Sequence, residues 1–215
     1  MSEISYTLPV LALRGLTVLP DMIVHFDVSR PKSIAPLEAA MLEEQNILLV
    51  TQLDPGNDKP KKEDLYTVGT VAKIKQMVKM PKDMLRVLVE GKFRAHLDEM
   101  VQEKPFMLAE VTIYAEEHQM DVFEEEAMVR CLQEKIDEFS GSSKLSRDLL
   151  RQFKEISDVY KLANQLCNDL PMDYVQRQKF LEAIDIKDRC EELLSFMGKE
   201  AEIFKITREI QEKVK

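Results

Sequence analysis

Residues 8–41 read LPVLALRGLTVLPDMIVHFDVSRPKSIAPLEAAM, and the order of elements in this stretch sets the fold. The apolar run Leu8–Leu13 predicts a strand, and Gly15 can take the positive φ that a sharp bend after it needs. Alternation over Met22–Val28 predicts a second strand. A helix should begin near Ser33, because serine caps helices well and the proline that follows is then confined to the first turn.

Alternating apolar segments continue to residue 115. Ile47–Val50 has the length of a buried strand, a hairpin turns at Pro81, and Gly91 is expected to mark a bulge. Phe106–Tyr114 gives the last strand. With about six strands and one helix, this part is expected to be a compact β-rich barrel, closed or half closed.

Apolar spacing changes to the helical period near Glu116, and no convincing strand follows. We expect a β-rich subdomain over residues 1–116, a helical bundle over 117–190 and the start of a long helix over 191–215. The fold class is therefore α+β. The last helix stays apolar on one face to its end, which is expected of a helix that leads on to further modules.

Composition limits the possible partners and the compartment. The 215-residue chain carries a net charge of −9, which argues against general affinity for nucleic acid or anionic membranes. Its three cysteines are far apart in the sequence, as in a protein of a reducing compartment. The N-terminus lacks a signal peptide's apolar core, and no stretch approaches the length of a membrane helix. We therefore expect a cytoplasmic protein.

Several linked motifs resemble one known family. They are the strand LPVLALR (8–14), the turn PDM (20–22), VSRPKS (28–33), LRVLVEG (85–91) and KFLEAIDIKDR (179–189). Their order is similar to that in the N-terminal (LON) domain of the ATP-dependent Lon proteases. The resemblance implies a PUA-like pseudo-barrel followed by a helical bundle and a long helix. It also implies a non-catalytic region that recognises unfolded or degron-bearing proteins and helps to assemble a homohexamer.

The residues themselves give no catalytic or metal site. No G-x-x-x-x-G-K-[ST] loop occurs, and no serine or lysine stands in a nucleophile elbow or a glycine-flanked loop. His25, His96 and His118 are isolated, and no C-x-x-C pair is present. We therefore expect no enzyme activity and no cofactor in this chain. In the resembled family, ATP, Mg²⁺ and the Ser–Lys dyad belong to domains that this chain lacks.

Methionine and proline at turns suggest a binding surface. Methionine is flexible and suits surfaces that accept many apolar partners. The candidate substrate-binding residues are Pro20, Met22, Met77, Met80, Pro81 and Met84. Since one buried apolar side chain contributes about 1.5–3 kcal/mol and association itself costs at least about 4, a single patch should bind near millimolar. A ring of copies would raise the avidity about 100-fold or more. The alternative is that these side chains pack locally over the barrel.

Charged segments provide further candidates. Arg30 and Lys32 flank the start of the first helix. One hypothesis is that they contact a neighbouring subunit or a substrate, and the alternative is that they are solvated turn charges. The run Lys59–Lys62 could bind an anionic partner or form a solvated loop tip. A stand-alone LON-domain binding protein is the main alternative to a protease region. An RNA-binding barrel is a third hypothesis, based on basic residues in the hairpin: Lys73, Lys75, Lys79, Lys82 and Arg86.

Overall fold

The computed structural model describes residues 4–116, 120–141 and 145–214. Its strands are β1 (Ile4–Leu13), β2 (Ile23–Val28), β3 (Asn46–Thr51), β4 (Val68–Met80), β5 (Met84–Gln102) and β6 (Leu108–Ile113). Its α-helices are α1 (Pro31–Met41), α2 (Val122–Ser140), α3 (Arg147–Glu155), α4 (Val159–Asp169), α5 (Tyr174–Glu182) and α6 (Ile186–Val214). The expected order of a β-rich part followed by helices is confirmed.

The strands form a six-stranded sheet in the order β2-β5-β4-β3-β1-β6, and β5 also pairs with β6. This extra pairing closes the sheet into a barrel of five strands, because the 19-residue β5 is long enough to pair β2 at one end and β6 at the other. β2 lies outside the closed ring, paired through β5. The only parallel pair among the described strands is β1 with β3.

The β-rich part has two apolar clusters, and the period-2 alternation of its strands divides residues between them. On β3, Leu48 belongs to the cluster inside the closed barrel, whereas Leu49 belongs to the cluster that also contains Leu37 of α1 and Val89 of β5. Two buried layers therefore use opposite faces of the same strands. This explains why these strands are apolar at almost every position rather than at every second one.

Helix α1 begins earlier than the sequence predicts. The first helical residue is Pro31, and Arg30 is the N-cap, with no hydrogen bond from its side chain. Pro31 suits this position because the first helical residue needs no N–H donor and has the φ that proline enforces. Ser33 is thus not the cap, and Pro36 lies inside the helix beyond the first turn. The expected start near Ser33 is wrong.

The chain divides into two compact units, Met1–Ala115 with Met172–Glu182, and Glu116–Pro171 with Ala183–Lys215. The second unit holds α2, α3, α4 and α6, whose buried faces carry Leu132, Phe153 and Leu193. Helix α5 lies in the first unit, although the sequence places it within the expected bundle of residues 117–190. The long helix α6 begins at Ile186 rather than at residue 191.

Buried polar contacts hold α5 in the first unit. The side-chain amide of Gln178, which is 1% exposed, donates to the Val68 carbonyl at 3.0 Å. The buried guanidinium of Arg94 donates to the Leu181 carbonyl at 3.2 Å. Thr17 Oγ1 donates to the Tyr174 carbonyl at 3.1 Å. A buried polar group that loses its partner costs about 1–3 kcal/mol, so these contacts fix α5 against the barrel.

Candidate functional site

The tip of the β4–β5 hairpin holds four of the six candidate substrate-binding residues. Met77, Met80 and Met84 are half-buried, and Pro81 is exposed. Met80 pairs directly with Met84, and Met77 packs against the cluster beside α1. The thioethers therefore keep part of their surface open while the rest contacts the β-rich unit.

The other two candidates, Pro20 and Met22, lie at the opposite end of β2. Pro20 is buried and Met22 is half-buried. The Gly91 N–H donates to the Met22 carbonyl at 2.9 Å, while the far end of β2 pairs Val28 with Leu85 beside the hairpin tip. About six strand residues, or about 20 Å, separate the two ends. The structure therefore does not bring the six residues into one patch.

A cavity of about 250 Å³ opens on the first unit. It is lined by three segments that are far apart in the sequence: the start of α1, the loop at 58–62 and the turn at 103–107. Strand β1 supplies Leu11 and Ala12 to its wall. Sequence reasoning missed the turn at 103–107, because nothing local in it indicates that it faces the other two segments.

Arg30 lines this cavity and is not a freely solvated charge. Its guanidinium donates to the Asp58 carbonyl at 3.2 Å and lies 4.0 Å from the Asp58 carboxylate. Arg14 also contacts that carboxylate. Partial burial, followed by the nearby positive charge of Arg14, lowers the pKa of Arg30 from its usual value. Lys32, in contrast, is exposed at the rim of the same cavity.

A second groove, of about 330 Å³, runs between the facing edges of β1 and β2. Leu13 and Leu16 line one side, and Phe26 and Val28 line the other. This groove lies outside the closed five-stranded ring, because β2 is paired with β5 and not with β1. Arg30 and Ser33 at the start of α1 line both cavities, as do Leu11 and Ala12 of β1.

The histidines do not gather a metal site within the described ranges. His25 lies on the outer strand β2 and is exposed. His96 Nδ1 is 2.7 Å from Asp98 Oδ1, and Thr112 donates to the other carboxylate oxygen of Asp98. Burial would raise the pKa of Asp98, but the hydrogen bonds from Thr112 and His96 outweigh it and hold the pKa below its usual value. His118 lies outside the described residues.

The described part of the chain has neither a cluster of metal-ligating side chains nor a helix fit to cross a membrane. Across residues 4–116, 120–141 and 145–214, no group of three or more histidine, cysteine, aspartate or glutamate side chains could hold a metal ion. In the same ranges, no helix combines the length and the apolar character that crossing a membrane requires.

Comparison with known proteins identifies the family. The family model of the ATP-dependent protease La (LON) substrate-binding domain matches residues 7–199. The chain belongs to this LON family. The LON chain is 43% identical over 217 residues to the Lon protease of Lachnoclostridium phytofermentans, covering 100% of the chain and 27% of the relative. It is 35% identical to the Lon protease of Escherichia coli, covering 97% of the chain and 26% of that relative.

Solved structures of LON domains share the fold. The N-terminal domain of Mycobacterium avium complex Lon protease superposes with a TM-score of 0.71 at 19% identity, covering 90% of this chain and 98% of that one. The Lon N-terminal domain protein from Xanthomonas campestris gives a TM-score of 0.63 at 16% identity, covering 89% and 99%. The LON chain thus spans about a quarter of the curated relatives and nearly all of these isolated domains.

Proposed function

We propose that this LON chain is the non-catalytic substrate-recognition and assembly region of an ATP-dependent serine protease that degrades misfolded and regulatory proteins. The observation that carries the proposal is the match of the LON substrate-binding model to residues 7–199. Relatives that are named Lon protease are about four times longer than the matched region, so the ATP- and Mg²⁺-dependent steps and peptide hydrolysis are assigned to other domains.

Accessible apolar surface on the β-rich unit supports a role in binding unfolded proteins. The hairpin tip offers Met80, Pro81 and Met84, and the edge strand β2 offers Ile23, which is 66% exposed. Because Met22 lies about 20 Å from the hairpin tip, one client side chain cannot fill both places. Each place alone gives weak binding, and a homohexamer would restore affinity through avidity.

The last helix supports the assembly part of the proposal. Along α6, Ile203, Ile206 and Ile210 are each about half exposed, and they recur at helical spacing on one face. Exposed apolar stripes of this kind mark surfaces that pack against another chain or another segment. We assign this stripe to subunit contacts or to the remainder of the protease.

The cytoplasm is the proposed compartment. Cys131, Cys167 and Cys190 are all free thiols, and two of the three are buried. Free buried thiols persist in a reducing compartment, whereas extracellular proteins usually pair their cysteines.

The alternatives receive less support. For the RNA-binding barrel, two of the five hairpin cations are already neutralised. Lys75 Nζ is 2.8 Å from a carboxylate oxygen of Glu90, and Arg86 Nε is 2.8 Å from a carboxylate oxygen of Asp27. A stand-alone LON module would use the same client surface without a protease, and the length of the relatives favours the protease region.

A binding experiment tests the proposal. The 215-residue chain is titrated with one fluorescent client protein, first native and then reduced and alkylated so that it stays unfolded. We expect weak, near-millimolar binding of the unfolded form, and NMR shift changes confined to the β-rich unit. Equal binding of the native and unfolded forms, or shifts confined to α2–α4, would refute recognition of unfolded proteins by this unit.

A further inference from the structure

The cavity of about 250 Å³ joins the two basic segments that the sequence analysis singled out separately. Arg30 and Lys32 come from the start of α1, and Lys59, Lys61 and Lys62 come from the loop after β3. More than 20 residues separate these segments in the sequence. Lys104, from the turn after β5, adds a sixth cation from a third direction.

The charge of this cavity is opposite to that of the whole molecule. Its lining has six cationic side chains against two carboxylates, Asp58 and Glu103, a local excess of four positive charges, whereas the chain carries −9. Asp58 is already engaged by Arg14 and Arg30. Among the described residues, the amines of Lys32, Lys59 and Lys61 have no carboxylate within 4.0 Å. These amines remain available to a ligand.

The wall between the cations is apolar. Leu11 is buried, and Met100, Phe106 and Met107 are half-buried in the cavity lining. Exposed lysines thus surround an apolar floor. A ligand that fits both must present several negative charges beside at least one large apolar side chain.

We propose that this cavity binds acidic–apolar segments of unfolded proteins, in which two or more aspartate or glutamate carboxylates flank a large apolar residue. The apolar residue occupies the floor at Met100 and Phe106, and the carboxylates pair with Lys32, Lys59 and Lys61. The inference rests on the proposed function, since it names one class of client for the LON unit. This cavity is a different site from the methionine and proline residues at turns that the sequence analysis predicted to bind substrates.

Charge count and size favour a polypeptide segment over other anions. A single terminal carboxylate would leave most of the excess of four charges unused. A volume of about 250 Å³ is slightly below the range of about 300–1,000 Å³ that encloses drug-sized ligands, so it suits one or two side chains of a longer chain. Single-stranded nucleic acid needs exposed aromatic rings for stacking, and the only aromatic ring in this lining, Phe106, is half-buried.

The experiment compares three fluorescent peptides by anisotropy on the 215-residue chain. The first alternates glutamate with leucine and phenylalanine. The second replaces each glutamate with glutamine, and the third replaces each apolar residue with serine. We expect the first peptide to bind at least about fivefold more tightly than either of the others. Its advantage over the glutamine peptide should disappear when salt rises from about 0.05 to about 0.5 M, because salt screens the charges, whereas its advantage over the serine peptide should remain.

Two matched variants locate the site. Lys59→Gln with Lys61→Gln removes two cavity cations, and Lys199→Gln with Lys205→Gln removes two exposed cations of α6. We expect the first pair to weaken binding of the acidic peptide about three- to tenfold and the second pair to leave it unchanged. Lys59→Glu with Lys61→Glu should reverse the preference, so that a lysine–leucine peptide binds better than the glutamate peptide.

The outcomes separate this inference from the proposed function. If the wild-type chain binds an unfolded protein but does not prefer the acidic peptide, or if both lysine pairs weaken binding equally, the inference is wrong and the proposed function stands. If no unfolded polypeptide binds at all, both are wrong. A single-stranded RNA that displaces the peptide at lower concentration than the unlabelled peptide does would also overturn the assignment to a polypeptide.

Discussion

Gly91→Ala should disrupt the link between β5 and the turn before β2. A Cβ atom built on Gly91 would lie 2.1 Å from the Leu19 carbonyl oxygen and 3.0 Å from the Leu19 carbonyl carbon. Both atoms are backbone atoms, so no side-chain rotation can make room. The turn must move by about 1 Å to restore an ordinary contact.

The expected loss in the free energy of unfolding follows from the contacts that this turn makes. The Asp21 N–H donates to the Gly91 carbonyl at 2.9 Å, and the Gly91 N–H donates to the Met22 carbonyl at 2.9 Å. Leu19 is 1% exposed, so the turn cannot move without disturbing the core. Overpacking costs about 1–3 kcal/mol, and each weakened hydrogen bond costs about 1 kcal/mol. We expect Gly91→Ala to lower the free energy of unfolding by about 2–4 kcal/mol.

Gly198→Ala is the matched control. Gly198 lies within α6, and a Cβ atom there would have no neighbour within 4 Å. Since alanine favours helix over glycine, this change should stabilise α6 by about 0.5–1 kcal/mol. Urea unfolding followed by circular dichroism measures both changes, and hydrogen exchange of β5 amides locates the first. A Gly91→Ala protein within about 0.5 kcal/mol of wild type would refute the reasoning from the close approach.

Three further predictions concern a buried arginine, an ion pair and a buried thiol. Arg189 is 1% exposed and donates to two backbone carbonyls, so Arg189→Met should destabilise the helical unit by about 2–4 kcal/mol in urea unfolding, whereas Arg130→Met on the exposed face of α2 should cost under about 1 kcal/mol. The hydrogen bond from Arg86 lowers the pKa of Asp27, so the carboxylate contributes stability above its unfolded pKa of about 4 and loses it as pH falls through the lower folded value. Arg86→Gln should therefore raise the pKa of Asp27 in an NMR titration, and an unchanged value would contradict the pairing. Burial raises the pKa of Cys190 to about 12, so at pH 8 its thiol should react with a thiol reagent only on unfolding, whereas the exposed thiol on α2 reacts at once.

The elements themselves could be predicted because their signals are local. Gly15 takes a φ of +64°, as the bend after β1 requires. Helix α2 covers Val122–Ser140 within the stretch of helical apolar spacing that begins near Glu116, and Asp121 caps it. The bulge near Gly91 is present as a register shift between β4 and β5. In each case, a few neighbouring residues decide the conformation.

The arrangement of the candidate sites could not be predicted, because it depends on strand register. Pro20 and Met22 lie at one predicted turn, and Met80, Pro81 and Met84 lie at another. The sequence groups them because both turns contain methionine and proline. Antiparallel pairing of β2 with β5 places them at opposite ends instead. The basic cavity was missed for a related reason, since its three segments meet only when β1, α1 and the end of β5 are in place.

The position of α5 has a consequence for biosynthesis. The segment that covers Arg94 and contacts Val68 is Met172–Glu182, and the polypeptide leaves the first unit at Ala115 before it returns with that segment. A ribosome that has finished every strand still holds a nascent barrel whose buried arginine lacks the Leu181 carbonyl. Because chains are made at about 5–20 residues per second, several seconds pass before the missing helix emerges. During that interval the incomplete barrel is itself a candidate for chaperone binding or for degradation.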